Sequence, residues 1–295
     1  MIFLCYHGVT NQKSKGIENF SGKHLRKDIF LEQMKTIKKK CKILDIHSIY
    51  FHLKNNIPFK KNSVAISFDD GFENNFSQAV PILKKFKIPA IFYICPLNIE
   101  KKQMFWVDKI ETLIINSDRE FFFLKTLNKN FYINTQKSKK QAILKIKNFC
   151  KNCSVKKKDD IINELIRKIG KKNLFKLNGN YKIATWSQIR ITAKHDLFDI
   201  GGHSMEHNIL TKIGKKNLNQ EIKNCIDIIK RRTGIRVKHF SYPEGKFNVD
   251  VINTFKKFKI LTSPIAEGHY NNKKTNVFKI KRIMVGFDKT KFPTF

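Results

Sequence analysis

Residues 89–95, Pro-Ala-Ile-Phe-Tyr-Ile-Cys, form an unbroken apolar run with a second proline after it. A strand of this kind has no polar face to turn to water. It needs cover on both sides, which a parallel sheet flanked by helices supplies. The rest of the chain fits that demand. Short apolar runs at 2–6, 42–46, 64–68, 197–200, 237–242, 260–263 and 278–285 read as strands. Between them, helical spacing appears at 25–40 (Leu25, Ile29, Phe30, Met34, Ile37), 75–87, 186–194, 218–233 and 249–258. Pro81 falls inside 75–87, so that helix either kinks or starts late, and Gly234 closes 218–233. Strand–helix alternation of this length predicts an α/β fold with a parallel sheet, a barrel being one form of it. Residues 101–181 break the rhythm with helical segments at 107–115, 141–150 and 159–169 around Phe121-Phe122-Phe123. We read them as an insertion within a single domain spanning 1–295.

The 295 residues carry 59 basic and 24 acidic side chains, a formal net charge of +35. Such an excess attracts polyanions. Arginine occurs only eight times, however, so nearly all of the charge is lysine. Base-specific readers lean on arginine for bidentate contacts. No specific nucleic-acid partner is expected, and weak attraction to anionic lipid or polymer fits better. Six cysteines, at 5, 41, 95, 150, 153 and 225, lie mostly in apolar runs, where a thiol behaves as a small hydrophobe. The lone pair Cys150-x-x-Cys153 lacks the second pair that a structural zinc ribbon needs. The pattern suits a reducing compartment.

Four clusters of reactive side chains each follow a predicted strand, the place where parallel α/β folds build their sites. The first is Ser67-Phe68-Asp69-Asp70-Gly71. Adjacent carboxylates repel unless a cation or proton lies between them. Neighbours on extended backbone point to opposite sides, so one can ligate a metal while the other faces a water. An alternative is a solvated turn whose aspartate caps the next helix. The second is Gly201-Gly202-His203-Ser204-Met205-Glu206-His207, where histidines four apart would share one face of a helical turn and one metal. The third, Phe240-Ser241-Tyr242-Pro243-Glu244-Gly245, is a proline turn that either only turns the chain or also aims a backbone N–H at an oxyanion. The fourth, Tyr6-His7-Gly8-Val9, offers a histidine as general acid at the end of the first strand.

Taken in order, these clusters resemble the polysaccharide deacetylase family (the NodB-homology group, carbohydrate esterase family 4) over residues 1–98 and 183–286. Thr185-Trp186-Ser187 and Lys281-Arg282-Ile283 fit the same pattern. The resemblance implies a distorted (β/α) barrel with a helical insertion and a divalent metal, usually Zn²⁺. Asp70, His203 and His207 would be its protein ligands, Asp69 the general base, and the Tyr242 N–H the oxyanion donor. The implied reaction is hydrolysis of the N-acetyl amide of an amino sugar, in a polymer or in a lipid- or nucleotide-linked precursor. The family's usual Leu-x-His near the C-terminus is missing, since that stretch reads Phe278-Lys279-Ile280-Lys281-Arg282-Ile283. His7 takes the general-acid role in a permuted branch that starts with Tyr-His, with His269 as second candidate. An arginine usual in the third motif is also missing, which leaves Arg282 to orient the base. Pro243, Arg282 and Trp106 are expected on the substrate side, although Trp106 with Asp108 also reads as core.

Three other readings compete. His203-Ser204-Met205-Glu206-His207 matches the H-x-x-E-H of inverted zinc peptidases, a motif that belongs inside a helix. A deformylase of a lipid-linked amino sugar would use the same chemistry, and a carbohydrate-binding domain would use none. The opening residues read as a buried strand and no leader segment is expected. No run approaches the roughly 18–20 apolar residues of a spanning helix. A cytoplasmic protein, peripheral to the inner membrane face through its lysines, is therefore expected.

Overall fold

Ser63–Phe68 is buried along its whole length and is paired on both edges. The computed structural model describes residues 1–174, 179–268, 270–286 and 292–295. In it, parallel strands lie in the order Ile283–Met284, Ile2–Tyr6, Ser63–Phe68, Ala90–Ile94 and Phe198–Gly202. Lys42–Ile43 pairs with the start of Ser63–Phe68. Beyond Phe198–Gly202 the ring continues through single parallel bridges, Gly202 to Phe240, His239 to Thr262 and Pro264 to Ile280. The segment carrying Ile280 then reaches Ile283–Met284, which pairs with Ile2–Tyr6 and closes the circuit. This is a distorted barrel.

The strands predicted at 237–242 and 260–263 are reduced to those bridges, and the one at 278–285 survives as Ile283–Met284. Pro243 and Pro264 have no N–H to extend a ladder. The link to Phe198–Gly202 therefore rests on a few bonds such as Gly202 N–H to His239 O (3.0 Å) and Ser241 N–H to Gly202 O (2.9 Å).

Alternate residues of each strand face different layers. Leu4, Tyr6, Ile66, Phe68, Phe92 and Ile94 share a core with helix residues such as Phe30, Met34, Ile222 and Phe255. Phe3, Ala65, Ile91, Tyr93 and Ile280 form a second cluster with Ile46, Ile49 and Leu53. The helix Ile46–Lys54 thus plugs the start of the barrel. The sequence reading assigns no helix here, because nine residues make only about two and a half turns; Asp45 caps it by accepting from Ser48 N–H at 2.6 Å. Pro81 does delay its helix. Asn75–Ala79 winds as a π-helical turn, and Val80–Phe86 continues as α-helix with the proline in its first turn.

The chain divides into two compact units, Met1–Asn11 with Ser21–Gln103 and Lys182–Phe295, and Gln12–Phe20 with Met104–Tyr181. The first unit holds the barrel. The second holds the helices Trp106–Ile115, Gln136–Asn152 and Val155–Ile169 and a hairpin, Phe121–Leu124 against Lys129–Tyr132. Glu164 secures the hairpin turn by accepting from Thr126 N–H (2.9 Å) and its hydroxyl (2.7 Å). No helix of the described residues is long and apolar enough to cross a membrane.

Two predictions test this packing. A Cβ on Gly201 would meet the Tyr93 ring at 2.5 Å and His239 O at 2.8 Å. Gly201→Ala should therefore lower unfolding free energy in urea by about 1–3 kcal/mol. His239, buried and bonded to Thr262 Oγ1 at 2.7 Å, is pushed down to about 3 by burial, with His47 and Lys238 acting in the same direction. The unfolded chain protonates this histidine near pH 6.5, whereas the native state does so only near 3. Its contribution is thus fully present above about pH 6.5 and is lost on acidification, at up to about 1.4 kcal/mol per pH unit. His239→Asn should flatten the acid limb of a stability–pH profile by one proton, and an unchanged slope would contradict the assignment.

Candidate active site

The barrel's period-two alternation carries on past its strands. Cys5 and His7, Ser67 and Asp69, Tyr93 and Cys95, Gly201 and His203, and His239 and Ser241 each sit two apart, so each pair shares a face. The later member of each pair lies at a strand's C-terminal end, and together they form the wall of one buried site.

Asp69 and Asp70 part company here. Asp69 N–H donates to Tyr6 O (3.0 Å), which carries the strand pairing one residue further. The backbone then reverses, with φ of 76° at Asp70 and 92° at Gly71. A non-glycine residue at such a φ is unusual and marks a turn held by its surroundings. Asp69 meets Arg282 in a two-pronged ion pair, Nη1 to Oδ1 and Nη2 to Oδ2, both 2.7 Å. Arg282 also donates to Ser67 Oγ (3.2 Å), Ser241 Oγ (2.9 Å) and Ile265 O (3.3 Å). All five guanidinium N–H groups are therefore used. Ser241 Oγ in turn donates to Asp69 Oδ2 at 3.2 Å.

Asp70 belongs to a different group. Its Oδ1 lies 3.6 Å from His203 Nε2 and 3.4 Å from His207 Nε2, and the ligand atoms of all three fall within 4.8 Å of one another. Donor atoms about 2.0–2.1 Å from a tetrahedral ion stand about 3.3 Å apart, so the spacing suits one divalent ion. His203 Nδ1 contacts Ser241 O at 2.9 Å. A carbonyl can only accept, so Nδ1 carries the hydrogen and Nε2 presents its lone pair to the site, as in many metal-bound histidines. The residues present fit a metal.

The histidine pair is not on a helix, contrary to the spacing argument. His203 follows the strand Phe198–Gly202 directly, and Ser204 (φ 62°) and His207 (φ 57°) make an irregular turn. Tertiary bonds hold it: His203 N–H to Ile94 O (3.0 Å), Met205 N–H to Glu221 Oε1 (2.9 Å) and Leu97 N–H to Met205 O (3.0 Å). The helical setting of H-x-x-E-H peptidases is therefore not met. Glu206 instead pairs with Lys101 at 3.1 Å.

Burial and charge set the protonation states. Burial pushes the Asp69 carboxyl up, but the charge and hydrogen bonds of Arg282 outweigh it and hold the group well below the usual carboxylate range. His203 and His207 are pushed down, chiefly by burial, which leaves them neutral as ligation requires. His7 is pushed down to about 3 by burial, with Lys23 and Arg282 adding to it and Asp69 opposing. Ligand atoms of Cys5, His7 and Asp69 lie within 4.8 Å of one another, which places His7 beside Asp69.

Other expected residues sit differently. Arg282 is 1% exposed and its N–H groups are committed to Asp69 and its neighbours, so it presents nothing to a substrate. Pro243 is buried, and Tyr242, extended at φ −79° and ψ 122°, donates its hydroxyl to Phe278 O at 3.0 Å. Trp106 is 5% exposed in the second unit with Lys158 over its ring, a core position. His269 lies outside the described residues. Ser67 and Ser241 were missed as site residues, although their place two before Asp69 and one before Tyr242 was a usable signal. Lys23, buried with Nζ 4.9 Å from the Phe72 ring, sits in a stretch without periodicity and gave none.

The family model described as Polysaccharide deacetylase matches residues 56–116 and 155–262. That span includes Asp69, Asp70, His203, His207 and Tyr242 and leaves out His7 and Arg282. A curated relative, the poly-β-1,6-N-acetyl-D-glucosamine N-deacetylase of Staphylococcus aureus (strain MSSA476), is 35% identical over 98 residues, 33% of this chain and 32% of the relative. The match thus spans about a third of the relative's length. Among solved structures, the Streptococcus pyogenes deacetylase PplD in complex with acetate aligns with a TM-score of 0.64 at 15% identity, covering 98% of this chain and 94% of the other. IcaB from Ammonifex degensii aligns at 0.62 and 14%, covering 96% and 91%. These two likenesses speak to the fold.

The ion pair makes a direct prediction. Arg282→Met would leave Asp69 as an uncompensated buried charge and should cost about 3–5 kcal/mol of stability by urea unfolding. Arg282→Lys, which keeps the charge but not the fork, should fall between it and the wild type.

Proposed function

The chain belongs to the polysaccharide deacetylase family, and from that premise we propose that it hydrolyses the N-acetyl amide of an amino sugar in a polysaccharide or its precursor. The observation that carries this reading is the pair of adjacent, divided carboxylates: Asp70 grouped with His203 and His207, Asp69 held by Arg282. The name of the Staphylococcus aureus relative supports N-acetylglucosamine polymers as the first substrates to test.

Asp70, His203 and His207 would hold a divalent ion, zinc in our reading. What such an ion supplies when bound is acidified water and a polarised acyl oxygen. Asp69, kept anionic by Arg282, takes the proton of the attacking water. Arg282 and Ser241 fix both Asp69 oxygens, so the base does not swing toward the neighbouring ligand group. The Tyr242 N–H is assigned to the developing oxyanion. His7 is the donor to the leaving amine. It is neutral at rest and lies in one cluster with Asp69, so the proton taken by Asp69 can pass to the imidazole and on to the nitrogen. The acyl carbon–nitrogen bond breaks, giving acetate and a free amine.

The test pairs metal content with acetate release from N-acetylated glucosamine oligomers. Wild type should hold about one equivalent of zinc and release acetate. Asp70→Ala should lose both while keeping its circular dichroism. Asp69→Asn should keep the metal and slow acetate release at least about a hundredfold. Wild type that takes up no zinc when it is supplied would sink the mechanism. Bound metal without acetate release would sink the N-acetyl assignment.

A further inference from the structure

Where Ala90–Ile94 ends, the chain runs between the two turns that carry the metal-ligand candidates. Ile94 O accepts from His203 N–H at 3.0 Å, and Leu97 N–H donates to Met205 O at 3.0 Å. Of the two residues between them, Cys95 is fully buried and touches both turns. Its N–H donates to Asp70 O at 3.4 Å, and its Sγ lies 2.9 Å from His203 O. A carbonyl oxygen can only accept, so the thiol is the donor. A second buried thiol, Cys225 on the helix Lys215–Thr233, lies 3.6 Å from Ser204 O.

We propose that Cys95 is a positioning residue for the metal site, its backbone N–H holding the Asp70 turn and its thiol holding the His203 turn. The inference rests on the metal-dependent reading above. It adds a residue whose side chain touches neither ion nor substrate. The backbone bond to Asp70 O exists for any residue other than proline at this position. The bond to His203 O requires a side-chain donor one atom beyond Cβ, which cysteine or serine supplies and alanine or valine does not. Without it, a buried carbonyl beside a ligand loses its partner, and the turn with φ of 62° at Ser204 loses one of the bonds that keep His203 Nε2 aimed at Asp70. Removing partners that orient ligands in this way typically lowers metal affinity or activity about 10- to 100-fold.

The experiment measures zinc affinity of the full-length chain by competition with a chromogenic chelator. Wild type is compared with Cys95→Ala, Cys95→Val and Cys95→Ser, and the thermal unfolding of each zinc-free protein checks its fold. Ala and Val should weaken zinc binding about 10- to 100-fold. Ser, which keeps a donor, should restore most of the loss. On a His203→Ala background, Cys95→Ala should add nothing further, because its effect runs through His203. Wild-type affinity in the Ala and Val variants would overturn the proposal. So would a Ser variant as weak as Ala, which would assign the residue to packing alone. Wild type that binds no zinc would overturn the metal reading itself, before any variant is compared.

Discussion

Arg282 and Asp69 form a fully buried ion pair at the mouth of the barrel, and much of the mouth is arranged around it. Taking two charges out of water costs several kcal/mol for each ion. That cost is offset only when every donor and acceptor finds a partner. Here all five guanidinium N–H groups do, on Ser67, Asp69, Ser241 and Ile265. These acceptors come from three separate segments of the ring, and Arg282 stands on the fourth. The strands from 237 onward share few ladder bonds. The guanidinium therefore does at the centre what longer ladders would do at the edges, tying weakly paired segments to the well-paired strand Ser63–Phe68.

The same pair separates two carboxylates that are adjacent in the chain. Asp69 faces a cation and is held ionised. Asp70, turned away by a left-handed backbone, faces two imidazoles kept neutral by burial. Groups whose environments differ this far can take different parts in one reaction. The division is built from short-range geometry: one reversed residue, one fork-shaped ion pair and one histidine whose tautomer is set by a backbone carbonyl.

Much of this was legible beforehand, for physical reasons that differ by residue. The strands Ile2–Tyr6, Ser63–Phe68 and Ala90–Ile94 were readable because burial on both faces demands unbroken apolar runs. The four reactive clusters were readable because each directly follows such a run. The helix Ile46–Lys54 was missed because it is short and buries only Ile46, Ile49 and Leu53. The strands at 237–242 and 260–263 were over-read, since their apolar residues are buried by packing while their ladders stop at prolines. His203 and His207 come together, but not through the local structure that their spacing suggests. Spacing suggested a helical turn, and the structure brings them together through an irregular one.

By itself, the sequence determined the alternation of strand and helix, the parallel sheet it requires, and which side chains stand at strand ends. All of these follow from local periodicity and the need to bury apolar surface. Only the tertiary structure decided that Arg282 serves Asp69 and not a substrate, that Trp106 belongs to the core of a second unit, and that Cys95 links the Asp70 and His203 turns. Those assignments depend on partners tens to hundreds of residues apart in the chain. Contact at that range is set by how the ring closes, and local spacing carries no record of it.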